Sequence, residues 1–199
     1  MRNILLIAVL FLFGCDHLQQ HFSEVDAGKS VINSNDPSLN FQNGSRYYKG
    51  KLFSGIIEEH FKDNTVQHRT GYENGKEEGW QQTFFTDGKV SEKRFYHRGE
   101  KDSVHSGWWP NGYKRFEYHF SNGIYNGDYK EWYESGQPLK HIHYTKGTDD
   151  WGKGWRENGK LYMNCVMKDG RRYGLNNSNL CYTVKNGNGE FVASTMASK

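Results

Sequence analysis

Between residues 47 and 175 the large apolar positions come in short bursts, each closed by a glycine, and the bursts recur in phase. The stretch WYESGQPLKHIHYTKG, residues 132–147, shows the unit: an aromatic pair, a turn at Gly136, a short alternating run and a second turn at Gly147. Counterparts of Gly136 stand at Asn64, Gly88, Gly112 and Gly159, a spacing of about 24 residues. Counterparts of Gly147 stand at Gly75, Gly99, Gly123 and Gly170, each about 11 residues after its partner. Two interleaved series in constant phase mark an internal repeat. The flanking partial units, near YYKGKLF and CYTVKNG, read as its caps.

Side chains recur with the turns. The fourth place before the first turn holds His60, Phe84, Trp108, Trp132 and Trp155, followed by Phe61, Phe85, Trp109, Tyr133 and Arg156. Three places before the second turn stand Tyr72, Tyr96, Phe120, Tyr144 and Met167, with Tyr47 and Val184 in the flanking units. Segments of about 8 to 10 residues rich in Tyr, Trp, Phe and Thr, bounded by NG, DG, RG or SG, predict strands in hairpins. A helix cannot persist with Gly every 11 to 13 residues and no sustained three- and four-residue apolar spacing. The expected fold is all-β, an elongated, twisted single-layer antiparallel ribbon of repeated β-hairpins. At about 4.8 Å per strand, each repeat advances the ribbon by roughly 10 Å. Columns of large side chains at a fixed offset are what stacked hairpins need to bury a continuous stripe.

The chain opens MRNILLIAVLFLFGCDH, with Arg2 ahead of an apolar run from Ile4 to Phe13. The run is too short to span a bilayer and reads as an export signal over residues 1–14. Its end, LFGC, resembles the lipobox of bacterial lipoproteins, which makes Cys15 the candidate lipid anchor. Phe13 departs from the small residue that pattern has two places before the Cys, and an ordinary secretory peptide is the alternative. By the same resemblance the chain belongs in the bacterial cell envelope. Asp16 favours inner-membrane retention by the enteric rule, and the choice between inner and outer membrane stays open. Residues 15–45, rich in Ser, Asn, Asp and Gly, read as anchor and flexible tether. The repeat domain is expected over 46–192 and a disordered tail over 193–199. With Cys15 lipidated, Cys165 and Cys181 remain as an even pair in an oxidising compartment, a candidate disulfide; two buried thiols are the alternative.

Composition sharpens the picture in two places. Hydrophobic residues make up 35% of the chain while aromatics reach 16%, which suits thin β-structure better than a deep core. The 26 Lys and Arg are interspersed with 23 Asp and Glu and form no basic stripe, so no nucleic-acid partner is expected.

Candidate chemistry is sparse. His141 and His143 in KHIHY share a strand face, as a metal pair requires, but a third ligand would have to come from His119 or His97 on another strand. Equivalent positions in other repeats hold different residues, so no metal is assigned. The acidic pairs Glu58 and Glu59, Glu77 and Glu78, and Asp149 and Asp150 put adjacent carboxylates on opposite sides of a strand, which suits no acid–base pair. No nucleophile elbow, phosphate loop or Cys and His dyad is present. Neither enzyme activity nor a cofactor is expected.

Units such as GYENGKEEGWQQTFFTDGK and FSNGIYNGDYKEWYESGQ resemble MORN repeats, in the bacterial variant known as YwqK-like antitoxins. The resemblance covers about residues 47–175, and one repeat departs from it by placing Ser103 where its neighbours have Gly79 and Gly127. It implies a ribbon serving as scaffold, recognition surface or membrane-associated module. It supplies no catalytic residues. The antitoxin label implies neutralising a toxin by binding, and an exported version would be an immunity or envelope recognition protein.

The expected function is therefore non-enzymatic recognition or scaffolding at a membrane reached through lipidated Cys15, with a protein partner, in one version a toxin. In a single layer, neighbours such as Trp108 and Trp109, or Trp132 and Tyr133, point to opposite faces, so one aromatic row is left accessible. Trp108, Trp109, Trp132, Tyr133 and Trp155 are the partner-binding candidates, because Trp and Tyr are enriched at interaction hot spots. The alternative is a structural module binding lipid headgroups or cell-wall glycan. A metal carrier using His141 and His143 is a third class.

Overall fold

A computed structural model of the protein describes residues 29–176, with the backbone of 179–180, 184–185 and 191–192, and side chains through residue 175. The segment read as an export signal, Cys15, Cys181 and residues 193–199, expected as a tail, lie outside the described residues. The described chain is all-β and contains no helix.

The ribbon is built from β5 (Gly55–His60), β6 (Val66–Glu73), β7 (Lys76–Phe84), β8 (Val90–His97), β9 (Glu100–Trp108) and β10 (Lys114–Ser121). It continues through β11 (Ile124–Trp132), β12 (Pro138–Thr145), β13 (Thr148–Trp155), β14 (Leu161–Lys168), β15 (Arg171–Asn176) and β16 (Asn179–Leu180). Each strand pairs with the next in an antiparallel sheet that is not closed into a barrel. Two short strands, β17 (Val184–Lys185) and β18 (Phe191–Val192), pair separately.

Two kinds of turn alternate along the ribbon, and they account for the two glycine series. At the first kind, the N–H of Gly88, Gly112, Gly136 or Gly159 donates to the carbonyl three residues back, and all four glycines have φ between 80° and 88°. This is a type I turn closed by a left-handed residue, a three-residue hairpin loop. Its third residue is an Asx in four of the five turns, and Asp63, Asp87, Asn111 and Asn158 each accept the backbone N–H two residues on at 3.0 Å. At the second kind, Asn74-Gly75, Arg98-Gly99, Asn122-Gly123, Lys146-Gly147 and Asp169-Gly170 all have both φ angles positive, the two-residue type I′ turn.

Successive turns of the second kind are bonded to each other. The N–H of Gly75, Gly99, Gly123 and Gly147 donates to the carbonyl of Phe53, Glu77, Lys101 and Tyr125 respectively, at 2.7–2.8 Å. Side chains add to this edge: Glu78 Oε2 accepts the Arg98 N–H at 2.8 Å, and Asn126 Oδ1 accepts the Lys146 N–H at 3.1 Å. The turns therefore hold the repeats in phase.

That phase aligns the large side chains on one face. Tyr96, Phe116, Phe120, Met163 and Cys165 are buried there, and Phe120 opposes Tyr125 while Tyr118 opposes Tyr129 across β10 and β11. Tyr125 stacks on Phe120 at 4.5 Å and on Tyr144 at 5.0 Å, carrying the stripe across three strands. Gly107 has its own reason: a Cβ there would lie 2.2 Å from the Phe116 ring, which fills the space the glycine leaves. His105, only 1% exposed, sits between Tyr96 and Phe120, and its Nε2 lies 2.8 Å from the Phe95 carbonyl. Burial pushes its pKa below the ordinary value, which favours the neutral imidazole as a core side chain.

Part of the segment 15–45, expected as a tether, is folded into strands. β1 (Val31–Asn33) pairs in parallel with β5 at the end of the ribbon. β2 (Leu39–Gln42), β3 (Ser45–Tyr48) and β4 (Lys51–Leu52) form a separate three-stranded sheet. The Asn, Asp and Ser that read as flexible linker are turn formers here: Asp36 Oδ1 accepts the Ser38 N–H at 2.8 Å and the Asp36 carbonyl accepts the Leu39 N–H at 3.0 Å. The small sheet is tied to the ribbon by the Arg46 N–H on the Gly75 carbonyl at 2.8 Å and Lys76 Nζ on the Gly44 carbonyl at 2.7 Å.

Ser103 occupies a strand position whose equivalents are Gly79 (φ 80°) and Gly127 (φ 112°), and it adopts φ 58° itself. The register between β8 and β9 shifts at this point. An L side chain in the left-handed region costs roughly 1–2 kcal/mol, part of which glycine returns through its freer unfolded chain. Ser103→Gly is expected to stabilise the protein by about 0.5–1 kcal/mol in urea unfolding, and Ser103→Val to destabilise it.

Candidate interaction surface

Each aromatic of the pair that precedes the three-residue loops has its own environment. Trp109 and Tyr133 open successive loops and lean over the next repeat, where Trp109 Nε1 donates to the Trp132 carbonyl at 3.1 Å and the Tyr133 hydroxyl donates to the Trp155 carbonyl at 3.0 Å. Asn111 Nδ2 makes a third such bond to the Glu134 carbonyl at 2.8 Å. This edge of the ribbon is thus latched by side chains where the other is latched by backbone. Phe61 and Phe85 hold the same place in earlier repeats and have no donor to offer.

Trp132 divides two clefts. One, of about 340 Å³, is lined by Trp109, Trp132, Phe116, Tyr118 and Leu139 with Glu92, Arg94, Arg115 and Glu131. The other, of about 320 Å³, is lined by Tyr113, Lys114, Glu117, Lys130, Trp132 and Gly136. Trp108 lies beside the second, with Lys114 Nζ 5.7 Å from its ring centre, so Trp108 and Trp109 diverge as strand alternation requires. Trp155 lines neither cleft.

All five candidates are half-buried, whereas Tyr113 is 57% exposed and its ring lies against the Gly136 turn. The accessible aromatic of the surface is therefore a residue that the repeat columns did not flag. Its signal was its place one residue after the turn glycine, where a large aromatic has no strand to pack on.

Charges in the clefts are committed to one another. Glu92 accepts from Arg94 Nε at 2.9 Å and from Arg115 Nη2, spanning two repeats, and Arg115 lies 5.7 Å above the Trp109 ring. Glu131 Oε1 accepts the hydroxyls of Tyr118 at 2.8 Å and Tyr129 at 2.5 Å. Burial, reinforced by that carboxylate, drives both phenols far above the ordinary tyrosine value, so both stay protonated and donate to it. Lys114 Nζ pairs with Glu117 Oε2 at 2.5 Å. The result is a ring of oriented dipoles around a Trp edge, a surface suited to a polar partner with an apolar anchor.

His141 and His143 do share a face, and both address one carboxylate. Asp128 Oδ1 lies 3.2 Å from His141 Nε2 and 3.1 Å from His143 Nδ1, while Lys130 Nζ holds Oδ2 at 2.6 Å. His97 pairs with Glu78 at 3.0 Å and His119 with Glu117 at 3.4 Å, so neither joins them. Among the described residues no group of three or more His, Cys, Asp or Glu is arranged to hold a metal ion. Cys165 is buried on the packed face, and its proposed partner Cys181 lies outside the described residues.

Compared with known proteins, the chain matches no family model and no curated protein.

Burial raises the Asp128 carboxyl, but the Lys130, His143 and His141 bonds outweigh it and hold the pKa well below the usual carboxylate range. A depressed folded pKa contributes stability above the unfolded value of about 3.9, and that stability is lost as pH falls through the folded value. With the side chain 28% exposed, Asp128→Asn is expected to cost about 1 kcal/mol at pH 7 in denaturant unfolding. The gap between the two proteins should narrow steadily below about pH 4.

Proposed function

We propose that the protein is a non-enzymatic, membrane-anchored recognition protein of MORN-like construction, held by lipidated Cys15 in the bacterial cell envelope. It binds a protein partner along the ribbon edge centred on Trp132. In its most specific form it is an immunity lipoprotein that sequesters a toxin. The observation that carries this reading is the placement of Trp132 between two clefts, with Tyr113 exposed beside it and Arg115 beside Trp109. Trp, Tyr and Arg are the side chains that dominate interaction hot spots, and here fixed ion pairs orient them before a partner arrives.

Trp132 is half-buried, so its truncation costs less fold stability than a core aromatic would, which makes a folded variant accessible. The test is crosslinked capture from the native envelope with the full-length lipoprotein, compared with the Tyr113→Ala, Trp132→Ala variant shown by near-ultraviolet circular dichroism to be folded. One stoichiometric protein, bound at least about tenfold more weakly by the variant and largely insensitive to salt, is the expected result. Recovery of only anionic lipid or wall glycan, unchanged by the two substitutions, would overturn it and favour the structural module.

A further inference from the structure

A third cavity, of about 470 Å³, lies at the opposite edge of the ribbon, where the small sheet of β2, β3 and β4 meets the turns at Gly75 and Gly99. Its volume is within the range of small-molecule sites. Phe41, Arg46, Tyr72, Lys76, Glu77, Arg98 and Glu100 supply its chemistry.

The backbone around it is fixed. Arg46 donates its N–H to the Gly75 carbonyl at 2.8 Å and accepts the Phe53 N–H at 3.0 Å, while the Glu77 carbonyl accepts the Gly99 N–H at 2.8 Å. The Arg46 guanidinium is half-buried and lies 5.0 Å above the Phe41 ring. Lys76 Nζ is spent on the Gly44 carbonyl, closing the cavity rather than answering an acid.

Glu77 is the half-buried acid of the cavity. Five other half-buried acids of the ribbon are ion-paired: Glu58 with Arg69 at 3.4 Å, Glu92 with Arg94, Glu117 with Lys114, Asp128 with Lys130 and Asp149 with Arg172. The Glu77 carboxylate, also half-buried, has no hydrogen bond or ion pair among the described residues. Burial raises its pKa, and the nearby positive charges of Arg46 and Lys101 only oppose that rise. A guanidinium and a carboxylate thus share one cavity with no ion pair between them, the guanidinium beside the Tyr72 hydroxyl and the carboxylate unbonded.

Such a pair is complementary to a molecule that carries both opposite charges. An anion alone would leave Glu77 unanswered and repelled. A cation alone would face three positive side chains, Arg46, Lys76 and Arg98, against the two carboxylates Glu77 and Glu100. We propose that this cavity binds a small zwitterion of the α-amino-acid class, its carboxylate on Arg46, its ammonium on Glu77 and its side chain against Phe41 and Tyr72. Arg98 adds positive potential at the carboxylate end. The site is independent of the Trp132 edge and of the partner-binding reading.

The test is isothermal titration of the purified full chain with each of the twenty free L-amino acids, up to about 10 mM. The tightest one is then repeated as its N-acetyl form, which lacks the ammonium, and as its amide, which lacks the carboxylate. Saturable binding by at least one amino acid is expected, weakened at least about tenfold by either modification and by either Glu77→Gln or Arg46→Gln. Glu77→Gln removes an unbonded charge, so it leaves the fold intact, and the modified ligands need no variant at all. Absence of saturable binding by all twenty would overturn the proposal. So would equal binding of the N-acetyl form, which would mark a plain anion site, or binding indifferent to Glu77→Gln.

Discussion

The hydrogen bond on which this architecture depends runs from the glycine N–H of four of the five two-residue turns to a carbonyl one repeat earlier. In an isolated hairpin that N–H faces water and places no demand on anything beyond the turn. Bonded to the preceding repeat, it fixes where the next hairpin starts. With Gly75, Gly99, Gly123 and Gly147 all bonded in the same way, the repeat length cannot drift without breaking the edge. Constant phase in turn puts Tyr96, Phe120, Tyr125 and Tyr144 on one face, where a single layer must find its whole apolar stripe.

A one-layer sheet has no second layer to cover its other surfaces, so neighbouring repeats supply many of its contacts. Charged residues follow that rule. Glu92 reaches Arg115, and Asp149 reaches Arg172, each across one repeat. The three-residue-loop edge follows it too, through Trp109 and Tyr133. These half-buried aromatics serve the stack first, and what the stack leaves over for the proposed recognition is the rim of Trp132, and Tyr113, which the turn lifts off the sheet.

Much of this was legible in the amino-acid order because turns of this kind demand residues that tolerate positive φ, and glycine at fixed intervals records that demand. The aromatic columns were legible for the same reason. The N-terminal strands were not, since runs as short as Val31–Asn33 and Leu39–Gln42 carry too few residues to show a period. Asp36 compounded this, because turn chemistry and linker composition draw on the same residues. His105 was invisible as core, as its burial depends on Tyr96 and Phe120 arriving from neighbouring strands. The cavity holding Arg46 and Glu77 could not be read either, since it joins the cap sheet to the first repeats. Ser103 was visible as a departure, and the structure gives it meaning as a left-handed residue bearing a side chain.

The central claim is that inter-repeat bonds at the turns set the phase of the ribbon, and amide hydrogen exchange followed by NMR tests it most directly. The account predicts that the N–H groups of Gly75, Gly99, Gly123 and Gly147 exchange at least about 100-fold more slowly than an unstructured chain, although each sits at a hairpin tip. The Gly170 turn, for which no such bond is formed among the described residues, should exchange faster. Exchange of all five at the unprotected rate would contradict the account and leave the repeats held by their side chains alone.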